Sequence, residues 1–351
     1  MRLLIITQKV DLDDPVLGFF HNWIARLAPH FEKVVVIALG VGRHDLPENV
    51  KVFSLGKKLE ASSQKLVARI KYALNFYRFI FGLEYDSVFV HMNQEYILLG
   101  GWFWKLLGKK IFFWRNHPKG NFWTRIAIWL SNKVFYTSLS SFTAKFKKSV
   151  IMPVGINTNL FKPHNLNPII HNSILCLGRI SPIKNVHLML ETARILREKG
   201  IAFTFDIVGD PVNPEDSEYK KKLVNENKDL IGSGHVNFTM GAPNHKTPEI
   251  YSSHEIFINL TPSGSMDKTI LEAAACGCIP ISVNPVLEGI DKNLITSTDP
   301  VDIAVKIEIW LKKNESEKAN LRTKLSQFVI ANHSLDSLVS KLVSEIKNAS
   351  K

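Results

Sequence analysis

Short apolar bursts, most of them ending near Gly, Asn or Asp, alternate along the chain with longer stretches of helical period. A strand buried on both faces reads as a continuous apolar run, so this alternation confines the chain to parallel-sheet α/β units. The first half offers such runs at 3–7, 33–39, 50–54, 87–91, 110–114 and 133–137, and the second at 173–177, 203–208, 236–239, 256–260 and 279–283. Each set makes one doubly wound sheet. Between them Met152-Pro153-Val154-Gly155-Ile156-Asn157, then Phe161-Lys162-Pro163 and an Asn/Pro/His-rich stretch, keep neither period and read as a linker. A chain of 351 residues, 45% apolar, is long enough for two cores. The expected divisions are an N-terminal domain over 1–163, a C-terminal domain over 164–334 and an amphipathic helix over 335–351, where Leu338, Val339, Leu342, Val343 and Ile346 recur at helical spacing.

Composition removes several classes. Cys176, Cys276 and Cys278 are the only cysteines, and no histidines stand beside Cys276 and Cys278 to complete a zinc site, so neither a disulfide framework nor a structural metal is expected. The apolar run after Arg2 is too short for a signal-peptide core. No stretch approaches the roughly 20 apolar residues of a membrane span. Net charge is +12 and it is uneven: residues 1–163 hold 23 Lys+Arg against 10 Asp+Glu, the remainder 21 against 22. Six of the seven tryptophans also lie in the first half.

Two strand-to-helix segments carry the chemistry. Ser263-Gly264-Ser265-Met266-Asp267-Lys268-Thr269 follows a strand and opens a helix. Asp267 is the expected N-cap, with the Lys268 and Thr269 amides turned to a phosphate at the positive helix end. Glu272, one turn in, is placed to reach a ribose diol. Gly178-Arg179-Ile180-Ser181-Pro182-Ile183-Lys184-Asn185 puts two cations at another strand's carboxyl end. There they would clamp a pyrophosphate and stabilise charge building on it.

Together these segments resemble the donor half of family 4 (group 1) glycosyltransferases. Gly178, Arg179, Lys184 and Asn185 fit one family signature; Glu272, Ala273, Cys276 and Gly277 fit the region that carries its paired glutamates; Val154-Gly155-Ile156-Asn157 to Phe161-Lys162-Pro163 fits its linker. Gly209, ending Phe205-Asp206-Ile207-Val208-Gly209, and Met240-Gly241 fit its strand-ending glycine and nucleobase loop. One departure stands out: Gly264 occupies the position of the first glutamate, eight residues before Glu272. Asp267 is the candidate substitute at the sugar, alongside its role as helix cap, and Ser263 and Ser265 supply hydroxyls.

The resemblance implies an α/β GT-B fold, two Rossmann-like doubly wound domains facing a cleft. It also implies a retaining, metal-independent transfer from a nucleotide-diphosphate sugar, with no cofactor. In the N-terminal half Gly18 is expected where backbone approaches the donor, since only glycine leaves room there. His117 is expected beside the sugar, and Asp13, His91, Asn93 and Arg115 on the acceptor side. Asp11-Leu12-Asp13 also reads as the metal-binding motif of the other glycosyltransferase fold, but its neighbours match the metal-independent class. His21, on the first helix, reads as packing or capping.

Residues 64–81 place Leu66, Ile70, Leu74, Tyr77 and Phe81 on one helical face, and Trp102, Trp123 and Trp129 crowd nearby with Lys105, Lys109 and Arg125. Either that face is ordinary core, or the half associates with an anionic membrane surface. No nucleic-acid motif accompanies the basic pattern. The expectation is a cytoplasmic enzyme, either free or peripheral on the inner membrane face, that passes a sugar to a glycan, lipid-linked or other cell-envelope acceptor. A nucleotide-sugar epimerase, a nucleotide-sugar-binding pseudoenzyme and a membrane-surface module without chemistry stand beside it.

Overall fold

The computed structural model describes residues 1–14, 16–57, 65–163, 169–262 and 267–350, with backbone alone at 65, 66 and 68. They form two units, Met1–Gly155 with Leu335–Lys351, and Ile156–Ser334. The boundary therefore falls before the expected linker end at 163, and the terminal helix groups with the first unit.

Unit 1 runs β1 (Arg2–Val10), α1 (Gly18–Leu27), β2 (Lys33–Val41), β3 (Val50–Ser54), α2 (Lys65–Gly82), β4 (Ser87–His91), α3 (Gln94–Leu106), β5 (Lys110–Trp114), α4 (Phe122–Leu130), β6 (Lys133–Tyr136) and β7 (Ser149–Ile151). The strands pair in parallel in the order β3-β2-β1-β4-β5-β6-β7. Unit 2 runs β8 (Ile170–Leu177), α5 (Val186–Glu198), β9 (Thr204–Val208), α6 (Pro214–Glu226), α7 (Lys228–Gly232), β10 (Val236–Thr239), α8 (Thr247–Ser252), β11 (His254–Asn259), α9 (Lys268–Ala275), β12 (Ile279–Ser282), α10 (Pro300–Lys312) and α11 (Glu315–His333). Its parallel order is β10-β9-β8-β11-β12. Both units are doubly wound α/β sheets. Every apolar burst became a strand, and β7 is an addition, a three-residue strand directly after Lys147-Lys148 and too short to stand out as a run.

The last helix, α12 (Leu335–Ser350), completes unit 1. Its apolar stripe is buried with Trp23 and Leu27 of α1 on one face of the sheet, while α2, α3 and α4 cover the other face through Phe76, Ile80, Trp104 and Ile128. Gly155 is held close here: at φ 80°, a Cβ would lie 2.3 Å from Leu338 Cδ2. Polar ties add to the seal, with Arg26 on Asp336 at 2.9 Å and Lys133 on Glu345.

Candidate functional site

Open α/β sheets take ligands at the carboxyl ends of their strands, where the strand order reverses. In unit 2 the reversal lies between β8 and β11, so the loops that follow those strands are the place to look. They are tied together. Lys184, after β8, pairs with Asp267, after β11, and Asn185 Nδ2 donates to the Leu260 carbonyl at 3.0 Å.

Asp267 caps α9 as its sequence predicts, accepting from the Thr269 amide at 3.2 Å and the Thr269 hydroxyl at 2.8 Å. Its other oxygen takes Asn259 Nδ2 at 2.9 Å, Thr261 Oγ1 at 3.2 Å and Lys184. Burial opposes its charge, but Lys184, Asn259 and Thr269 outweigh burial and hold the carboxyl well below the usual range. Two expectations change. The carboxylate's acceptor capacity is engaged within the protein, so it positions Lys184 and the helix start and is not presented to a sugar. The Thr269 amide is likewise taken by the cap, so the expected pair of amides is not presented together to a phosphate. Ser263, Gly264 and Ser265 lie outside the described residues. Arg179 is exposed and, among the described residues, unpaired.

Glu272 also differs from its expected open position at a ribose. It is 4% exposed and accepts from Asn244 Nδ2 at 3.2 Å and from the Tyr251 hydroxyl at 3.3 Å. Burial pushes its carboxyl up and the Lys268 ammonium, one turn earlier on α9, down, while each supports the other's charge. Sequence spacing identifies α9 but not what covers its flank.

The glycines carry the tightest geometry. A Cβ at Gly209 would sit 1.8 Å from the Gly178 carbonyl oxygen, and Gly178 itself has φ 140°. The ends of β8 and β9 can meet only with glycine at both places. Beyond them the Gly241 amide donates to Asp210 Oδ2 at 3.0 Å, leaving Met240 exposed on its loop. Two cavities, of about 640 Å³ beside Asp206, Asn237, Met240 and His254 and about 470 Å³ beside Cys276, Gly277 and Arg322, include none of Arg179, Lys184 and Asp267. In the larger, His254 links Asp206 Oδ2 at 2.9 Å to the Ile250 carbonyl at 2.7 Å, a bridge with no signature in the sequence. His171, Glu255 and Glu315 offer donor atoms within 4.8 Å of one another, but Lys318 occupies both carboxylates at 2.9 and 3.1 Å, so the cluster suits an ion-pair network better than a metal.

In unit 1 the order reverses between β1 and β4. Gly18 opens α1, where a Cβ would lie 3.1 Å from the Leu12 carbonyl oxygen. Asp13 is bound to Arg43 at 2.6 and 2.7 Å, and Lys9 to Asp14 at 2.6 Å and Asp11 at 3.1 Å, so these acids are spoken for by cations of their own loop region. His91 is buried, stacked on Phe20 with ring centroids 4.0 Å apart and edge-on to Trp23, which corrects its expected acceptor-side exposure. His21 is buried as well, its Nε2 accepting from the Asp45 amide at 3.0 Å.

The turn after His91 is unusual. Asn93 N–H donates to the His91 carbonyl at 2.9 Å across Met92, whose φ is 70°. That is a γ-turn of the rare positive-φ kind, at the switch point, on a residue with a side chain. Asn93 then precedes α3 without a side-chain cap bond. After β5, Arg115 and His117 both fold about Lys119, whose carbonyl accepts from Arg115 Nη2 at 2.9 Å and lies 2.9 Å from His117 Nδ1. Arg115 Nε is buried with no hydrogen-bond partner among the described residues, and the His117 ring is exposed. Asn116 between them is turned inward, accepting from the Thr137 and Ser138 amides.

Residues 162–327 match the family model described as Glycosyl transferases group 1. No curated protein matches the chain in sequence. Among solved structures, HepE of Anabaena in complex with UDP and glucose is 16% identical with a TM-score of 0.74, covering 99% of each chain. A glycosyltransferase from Rickettsia africae is 15% identical with a TM-score of 0.75, again covering 99% of each chain. Sucrose-phosphate synthase from Thermosynechococcus elongatus is 16% identical with a TM-score of 0.72 over 99% of each. At these identities the likeness establishes the fold, which is GT-B.

Proposed function

We propose that the protein is a metal-independent retaining glycosyltransferase that uses a nucleotide-diphosphate sugar and passes the sugar to a glycan or lipid-linked acceptor. The observation that carries the reading is the pair of cations after β8, within the stretch that matches the group 1 model: Arg179 exposed, Lys184 fixed by Asp267 against the start of α9. The HepE structure, similar in fold, holds UDP and glucose.

In the reaction the bond from the sugar's anomeric carbon to the diphosphate oxygen breaks and one to the acceptor oxygen forms, the acceptor's proton leaving with the diphosphate. Negative charge grows on the departing diphosphate. Arg179 and Lys184 oppose that growth at the strand end, and the start of α9 adds the positive end of its helix dipole. Asp267 holds Lys184 in place before the charge appears, which is where preorganisation gains its advantage over water. On unit 1, the exposed His117 and Arg115 Nε, which has no hydrogen-bond partner among the described residues, are polar groups that can take an acceptor.

A panel of nucleoside diphosphates and nucleotide sugars, screened by thermal unfolding, tests the donor site: a ligand at 100 times its dissociation constant adds about 2.7 kcal/mol. No shift with any member would sink the reading. Incubation of the effective donor without acceptor then separates transfer from epimerisation, which alone returns an altered nucleotide sugar. The anomeric configuration of the transferred sugar tests retention directly.

A further inference from the structure

The sequence leaves open whether the apolar stripe of α2 is core. It is not: Ile70, Leu74 and Phe81 are each more than half exposed, while the inward face of α2 is carried by Phe76 and Ile80. The same holds across the layer. On α3, Trp102 and Leu106 point outward, Leu106 at 84% exposure, and on α4 Phe122 and Trp129, seven residues apart, share the outer face.

These side chains are neighbours. Phe81 meets Phe103 edge-on at 5.2 Å, joining α2 to α3, and Trp102 lies 5.3 Å from Trp129, joining α3 to α4. Three helices on one face of the unit 1 sheet thus present a single apolar surface wider than isolated exposed residues explain. Basic groups are set into it. Lys105 Nζ stands 4.0 Å over the Trp129 ring, and Arg69, Lys71, Arg78 and Arg125 are exposed on the same helices. Residues 65–130 hold ten Lys+Arg against three Asp+Glu, and two of those acids, Glu84 and Asp86, are bound to Arg2 at 2.7 and 2.9 Å.

We infer that the outer face of α2, α3 and α4 docks on an anionic lipid bilayer. A second protein copy would bury the same apolar area but would bring its own exposed cations against these. A bilayer with acidic headgroups offers the opposite charge over the same plane. Tryptophans seat at the level of the headgroups, and Lys and Arg lay their stems along apolar surface while their charges reach the phosphates. No helix among the described residues is long and apolar enough to cross a membrane, so the contact lies in the interface. The face also borders the candidate site, since α4 starts directly after the loop of His117. On the transfer reading above, a lipid-linked acceptor would arrive from that side.

The test uses the full chain without donor or acceptor, so its outcome is independent of catalysis. Flotation with phosphatidylcholine vesicles with and without phosphatidylglycerol should show binding only when the anionic lipid is present. Tryptophan emission should be quenched by brominated phosphatidylglycerol. A Leu74→Asp/Leu106→Asp/Phe122→Asp variant should bind at least about tenfold more weakly. Neutralising Arg69, Lys71 or Arg125 singly should each cost about fivefold. Unchanged circular dichroism establishes that the variants are folded. Wild-type protein that binds neither vesicle, binding that survives every substitution, or absence of quenching overturns the proposal. So does lipid-free dimerisation that the Leu106→Asp substitution abolishes, which would assign the face to a second copy.

Discussion

Arg179 and Lys184 share a loop but not an electrostatic setting. Arg179 faces solvent, so its replacement has little to disturb in the folded protein. Arg179→Ala should lower the turnover rate about 10²–10³-fold, as loss of an oxyanion donor does, while thermal unfolding stays within about 0.5 kcal/mol. Full turnover in that variant removes the assignment of the β8 loop. Lys184 is bound up with stability through Asp267. An Asp267→Asn substitution keeps a good helix cap and leaves the ammonium without its counter-charge, at a cost of about 2–3 kcal/mol. The sign of the pH effect follows from the depressed carboxyl. Its stabilisation is complete above the unfolded value of about 4 and is lost as pH falls through the folded one. Urea titrations across the acid range should therefore show a shallower acid limb in Asp267→Asn than in the wild type. An unchanged limb would mean that the Lys184 pair is not what holds the proton off.

At the level of elements, strand ends are where this fold is least tolerant. Gly209→Ala forces the β8 and β9 ends apart against a 1.8 Å approach to backbone, which cannot be relieved by rotating a side chain. Destabilisation of at least about 3 kcal/mol is expected, with loss of any nucleotide-induced shift; a variant that melts and binds like the wild type would refute the close approach. Met92→Gly works the other way. Relief of positive-φ strain, about 1–3 kcal/mol, should raise the unfolding temperature, and a lowered one would mean that the Met92 side chain contributes more than its backbone costs. The strands were legible because burial on both faces leaves an unbroken apolar run, and the Asp267 cap because capping is local chemistry. The Lys184 partner of that cap, 83 residues away, has no local trace, nor have Asn259 and Thr261. Nor does the period of α2 tell inside from outside: Ile70, Leu74 and Phe81 have the spacing of a core stripe, but Phe76 and Ile80 are the residues that face the sheet.

Over the whole molecule, the chain leaves unit 1 at Gly155, builds unit 2, and returns to unit 1 for its last helix. The periodicity of α12 announces an amphipathic helix, but its place against α1 depends on residues three hundred positions earlier in the chain and could not be read locally. That return makes unit 1 depend on the far end of the sequence. Leu335, Leu338, Val339, Leu342, Val343 and Ile346 are all buried on α12. At about 1.5–3 kcal/mol each they represent about 9–18 kcal/mol of apolar burial, an upper estimate, against a typical total stability of about 5–15 kcal/mol. Their removal also uncovers Trp23 and Leu27, which pack with them. A chain truncated after Ser334 should therefore lose the cooperative unfolding of unit 1 and expose it to proteolysis. Unit 2, Ile156–Ser334, keeps all its strands and should retain its own transition and its nucleotide-induced shift. If calorimetry and limited proteolysis instead find unit 1 intact in the truncated chain, α12 is an attachment and not part of that unit's core.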